Sequence, residues 1–234
     1  MYSLPQKLFA EFVGTFTLIF IGAGSVCADQ YLHASGSPGI GLLGMAIASG
    51  LAYAIMIASI GHISGGHLNP AVTIGFWVTK RLTTHDALFY WIAQLAGAAA
   101  AANLLATAIP ESIWGPVGLG TPVLAADFTR MHGMAIEAIL TFFLVFVFFA
   151  TALDSNGAFG KISGFAAGLA LTMGMLVGGP FTGAALNPAR AFGPALVVQH
   201  HWNNQGVYWV GPLFGGIIAA VIYDRFFLRD QPPA

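Results

Sequence analysis

Ser64-Gly65-Gly66-His67-Leu68-Asn69-Pro70-Ala71 decides the fold, because the stretch occurs twice. It aligns without gaps on Thr182-Gly183-Ala184-Ala185-Leu186-Asn187-Pro188-Ala189, 118 residues later. At that offset Gly50 meets Gly168, and Tyr90-Trp91 with Gly97 meets Tyr208-Trp209 with Gly215. Glu11, Thr15, Phe16, Leu18 and Phe20 return as Glu137, Thr141, Phe142, Leu144 and Phe146 at an offset of 126. The eight extra residues of the first copy fall between Glu11 and Gly50, and the polar stretch 29–39 is where they are expected. The chain is one unit duplicated, and its function has to use two copies of one loop.

Composition sets the solvent. Charged residues are 7% of the 234, against roughly a quarter in soluble domains, and hydrophobic residues are 57%. So few charges cannot cover a water-facing surface, so the expected surroundings are a lipid bilayer. Net charge is −1, which gives no field to attract nucleic acid. Cys27 is the single cysteine, so neither an intrachain disulfide nor a cysteine metal cluster is available. The first apolar segment carries Glu11 and lacks a clear small-residue cleavage site, so it reads as a retained helix.

Apolar segments run at about 8–28, 40–60, 87–109, 132–153, 162–178 and 206–228, each long enough to span as a helix. Two shorter ones, about 70–79 and 188–199, follow the Asn-Pro-Ala sequences and reach about half way across. Pro suits a first helical turn and Asn is a favoured N-cap, so each is suited to start a half-helix inside the membrane. Three spans per copy make the second copy insert upside down. With both termini cytoplasmic, Lys7, Lys80, Arg81, Lys161, Arg225 and Arg229 lie inside and only Arg130 outside, in keeping with the positive-inside rule. Arg190 falls within the membrane. Inverted repeats with matching broken segments predict a pathway at the midplane, where the half-helices present their N-termini and Asn69 meets Asn187.

These residues resemble the aquaporin (major intrinsic protein) family over essentially the whole chain. The resemblance rests on six spans, two Asn-Pro-Ala half-helices, Arg190 directly after the second motif, and Glu11 and Glu137 in spans one and four. It implies an all-α membrane fold of six transmembrane helices and two re-entrant half-helices. It further implies a single channel domain over 1–234, with repeats at about 5–110 and 131–229. Asn69-Pro70-Ala71 and Asn187-Pro188-Ala189 are then the pore motifs, with both Asn amides donating to a passing water. Carbonyls of Gly65, Gly66, His67, Gly183, Ala184 and Ala185 are expected to line one wall as acceptors. Glu11 and Glu137 are expected to hold the loops by accepting backbone hydrogen bonds, a reading favoured over a proton relay by their symmetry. His62 and His67 are read as structural, and Gly50, Gly97, Gly168 and Gly215 as close helix contacts.

Counting from the motifs assigns the family's outer constriction to Ser49, Met175, Ala184 and Arg190. Water-selective members usually carry Phe and His at the first two positions, and glycerol-conducting members keep aromatics. This chain has neither. Ser for Phe widens the constriction unless Phe20 or Tyr53 fills the gap, so water and some small neutral solutes are expected. Ala191, Ala195 and Tyr208-Trp209 instead resemble water channels, and water is the favoured substrate. A broader facilitator of glycerol, urea or metalloid hydroxides is the alternative, and an ion-coupled transporter a distant one. No paired carboxylates, metal cluster or nucleophile–base set accompanies the loops, so neither an enzyme nor a cofactor is expected. The resemblance also implies a homotetramer, and the spare termini suggest a microbial inner membrane.

Overall fold

The computed structural model describes residues 2–154, 162–199 and 202–228; Lys161 and Arg229, assigned to the inner face, lie outside the described residues. Nine α-helices follow one another among the described residues: α1 Leu4–Ala34, α2 Gly41–Ser64, α3 Pro70–Val78, α4 Thr84–Ala108, α5 Glu111–Trp114, α6 Arg130–Ala152, α7 Ser163–Thr182, α8 Pro188–Val198 and α9 Gln205–Phe226. Six helical segments are long and apolar enough to cross a membrane, the last counted from Trp202 to Phe226. Of the three that remain, α5 is a single short turn, and α3 and α8 are the half-helices. At 9 and 11 residues they measure about 13 and 16 Å, so end to end they match one hydrocarbon thickness of about 30 Å.

The halves pack by the same rule. α1 lies on α4 and on α2, as α6 lies on α9 and on α7. Each half-helix packs against the last span of the opposite half, α3 on α9 and α8 on α4. The α2–α7 contact joins the halves, and glycines make it possible. A β-carbon on Gly50 would stand 2.5 Å from the Gly168 carbonyl oxygen, and one on Gly168 would meet the Gly50 carbonyl. Gly97 sits against the Phe12 carbonyl, and its repeat mate Gly215 against that of Ala138. These are the close helix contacts expected of small residues where apolar burial alone cannot drive helices together.

The eight extra residues of the first copy have a physical form. α1 is 31 residues long and α6 is 23, so the surplus is two additional turns of helix. The stretch 29–39, polar enough to suggest a loop, is therefore helical as far as Ala34. Asp29 ties this extension to the next span: its Oδ1 accepts from the Ile40 and Gly41 amides at 2.7 and 2.8 Å. One carboxylate on the extended helix thus supplies a cap for α2, whose own N-cap residue offers none.

Candidate pore between two re-entrant loops

The loops 65–69 and 183–187 are built from backbone that ordinary residues avoid. Gly65 and Gly66 have φ of +93° and +65°, and Leu68 is left-handed at +53°. In the second loop Gly183, Ala184 and Leu186 lie at +78°, +44° and +50°. A left-handed non-glycine residue costs roughly 1–2 kcal/mol, so something must hold each turn.

In the first loop that group is Glu11, fully buried. It accepts from the His67 amide at 2.9 Å, the Leu68 amide at 2.7 Å, Ser64 Oγ at 2.7 Å and Gln94 Nε2 at 2.7 Å. Ser64 Oγ in turn accepts from the Gly66 amide at 3.1 Å. Glu137 repeats the pattern with the Ala185 amide at 3.0 Å, the Leu186 amide at 2.8 Å and Thr182 Oγ1 at 2.7 Å. Tyr90 and Tyr208 complete the clamps, each hydroxyl donating at 2.8 Å to the carbonyl of Ser64 or Thr182. Both carboxyl groups act only as acceptors, and these bonds occupy them.

Released from the loops, the chain enters α3 and α8 through Asn69 and Asn187. Each side-chain oxygen caps its own half-helix, accepting from Ala71 N at 2.8 Å and Ala189 N at 2.9 Å. Each Nδ2 crosses to the other loop, Asn69 to the Leu186 carbonyl and Asn187 to the Leu68 carbonyl, both at 2.9 Å. The half-helices therefore meet N-terminus to N-terminus. An amide has two N–H donors, so one hydrogen of each Asn is spent on the opposite loop and one is left for a ligand.

One cavity is lined by both asparagines together with Ser49, Met175, Ala184 and Arg190, the four residues assigned to the constriction. It holds about 20 Å³, and a site of roughly 10–15 Å³ already accommodates a water. Leu18, Leu144 and Leu171 supply apolar wall. Ser49 turns its hydroxyl away, donating to the Met45 carbonyl at 3.0 Å. Arg190 is 8% exposed and its Nη1 finds no protein partner among the described residues, so this nitrogen is not tied to a backbone carbonyl.

Of the two candidate fillers, Tyr53 lines the cavity, whereas Phe20 stacks on Phe16 at 5.8 Å. His67 is buried with Nδ1 3.1 Å from Thr73 Oγ1 and its ring 4.3 Å from Phe76, while His62 meets the Tyr2 ring edge-on. Several contributors escaped the sequence reading. Ser64/Thr182 and Tyr90/Tyr208 were visible as repeated positions, and Leu18/Leu144 likewise, but repetition alone assigns no role. Gln94 left no such signal, since Pro212 stands at its repeat position.

Residues 2–223 match the family described as Major intrinsic protein. The chain is 42% identical to "Probable aquaporin TIP3-2" of Arabidopsis thaliana, across 96% of this chain and 85% of that protein. It is 41% identical to "Aquaporin TIP4-4" of Zea mays, across 96% and 88%. Among solved structures it resembles the aquaglyceroporin from Plasmodium falciparum, with a TM-score of 0.82 at 23% identity over 97% and 98% of the two chains, a likeness of fold. The chain is a multi-pass membrane protein, and it belongs to the major intrinsic protein family, whose aquaporins are channels rather than enzymes.

Proposed function

We propose that the protein is a passive channel conducting water in single file between the two Asn-Pro-Ala loops while holding back ions and protons. One observation carries this reading: a cavity with room for about one water joins both Asn69 and Asn187 to Arg190 beside an apolar wall that includes Leu18, Leu144 and Leu171. The free amide hydrogen of each asparagine orients a water oxygen, and the wall offers nothing to trap it. Two facing helix N-termini add roughly half an elementary charge each before screening. A cation there loses hydration and meets positive ends, the barrier described for aquaporin-type pores in general. Membership of the major intrinsic protein family and relatives named aquaporins support water as the substrate.

Passive transport is favoured over ion coupling because Glu11 and Glu137 are occupied by the loops they hold. Ser49 and Ala184 are small, which keeps glycerol-sized solutes as the second reading. Both termini on the cytoplasmic side suit the distribution of Lys7, Lys80, Arg81 and Arg225 against Arg130. Family membership supports, as part of the same proposal, a homotetramer with one pore per subunit. The relatives named above are plant proteins and lend the expected microbial inner membrane no support. The test is stopped-flow light scattering of proteoliposomes. Water permeability well above empty vesicles, independent of any ion gradient, is the expected result; permeability equal to empty vesicles refutes the channel.

A further inference from the structure

Different faces of α2 line two separate cavities. Ser49 and Tyr53 both line the narrow cavity of about 20 Å³. Ile57, one turn further, lines a cavity of about 610 Å³ with His62, Gly65, Phe76 and Phe148. The two cavities share no lining residue: Tyr53 and Asn69 belong to the narrow one, Ile57 and Gly65 to the wide one. Tyr53 is the furthest residue along α2 that lines the narrow cavity. Its side chain is 1% exposed, and its hydroxyl donates to the His67 carbonyl at 3.0 Å. His67 is itself wedged against Phe76, Tyr90 and Phe148. The ring is thereby pinned at both ends, by the α2 backbone and by the re-entrant loop.

The other half of the molecule has no such bar. The repeat mate of Tyr53 is Leu171, which lines the same cavity without a polar tether. Ser49 is too short to obstruct, and its hydroxyl is turned back onto its own helix. Resting on the channel reading above, we propose that Tyr53, about 6 Å deeper than Ser49 along α2, sets the size limit of this pore. The bulk of the ring excludes solutes larger than water, and the bond to His67 positions it. That bond also engages the His67 carbonyl, one of the acceptors assigned to the water file. Here the size barrier and Arg190 are separate: Arg190 provides the charge barrier and Tyr53 the steric one.

The experiment compares water and glycerol permeability of proteoliposomes holding wild type, Tyr53→Phe and Tyr53→Leu. Leucine is chosen because Leu171 occupies the matching position of the same cavity. Wild type and Tyr53→Phe should both exclude glycerol, since both keep the ring. Tyr53→Leu should raise glycerol permeability by about tenfold or more, the scale on which a few methylenes alter discrimination. If the leucine variant does not assemble, Tyr53→Met replaces it, because an unbranched thioether adapts to irregular space. Glycerol flux in the assembled variant equal to wild type, whether both low or both high, overturns the proposal and returns the limit to Ser49 and Met175. Wild type without water flux beside a conducting Tyr53→Leu overturns the open-channel reading and leaves Tyr53 as the barrier. Flux in neither overturns both.

Discussion

The loop after α2 and the loop after α7 share a backbone but not its surroundings. Both are left-handed turns clamped by a glutamate, a hydroxyl and a tyrosine, and both end in a capping asparagine that reaches across to the other. Around the first, Gln94 bridges Glu11 and Thr73, and Thr73 meets His67. Around the second, the matching positions hold Pro212, Ala191 and Ala185. The difference teaches what duplication preserves. Two half-helices can meet at one point only if both loops keep the same geometry, so the clamp is repeated; side chains beyond it are free to diverge. The first half has added polar tethers and Tyr53, and the second has added Arg190.

The clamps give the sharpest way to break the comparison. Glu11→Ala orphans four donors and Glu137→Ala three, each at about 1–3 kcal/mol where water cannot substitute. Both should prevent recovery of monodisperse protein or lower its Tm in detergent by far more than any other change below, Glu11→Ala more. A milder Glu11→Ala would mean that Gln94 contributes nothing. Next come the asparagines. Asn69→Ala and Asn187→Ala each lose a cap and one cross-loop bond, roughly 2 kcal/mol together, and Asn187 also gives up a long contact from the Arg190 amide at 3.4 Å. Similar Tm losses are expected, with Asn187→Ala at most slightly the larger, and a clearly larger loss in Asn69→Ala would show that the cross-loop bonds are not equivalent.

Thr73→Ala installs the second half's residue in the first. It removes partners of His67 and Gln94, so a loss of about 1 kcal/mol with water flux unchanged is expected in thermal melts and stopped-flow traces. A collapse of flux would make the polar tether part of the pathway. The reverse exchange is Ala184→Gly, which places glycine where the first loop has Gly66. Relief of left-handed strain should stabilise by less than about 1 kcal/mol, and any loss of Tm would count against strain at Ala184. Smallest of all is the response to mercuric ion. Cys27 is buried on α1 and Ala184 occupies the lumen, so water flux should fall only slightly, and equally little in Cys27→Ser. Strong block persisting in Cys27→Ser would contradict this, because the chain has no other cysteine.

Much of the architecture was legible because lipid leaves few choices. An apolar run of spanning length has to satisfy its backbone internally, and so α2, α4, α6, α7 and α9 begin and end within four residues of expectation. The half-helices were legible from Asn-Pro, which supplies a cap and a suitable first residue in two letters. α1 was underestimated, because polarity at 29–39 marks where lipid stops and not where the helix stops. In the site, the constriction positions could be counted from the motifs, yet counting could not choose between Phe20 and Tyr53. Two aromatic residues on different helices look alike in a string; their directions depend on how α1 and α2 cross.

The sequence by itself determined the membrane surroundings, the duplicated unit, the half-helix starts and the family, since each depends on local composition or on repeated spacing. Only the tertiary structure decided that one hydrogen of each asparagine is spent on the opposite loop, that Gln94 joins Glu11, and that Tyr53 spans to His67. The physical reason is common to all three. Each is a directional bond between segments far apart in the chain or turned back on themselves, and its existence depends on distances that helix packing sets.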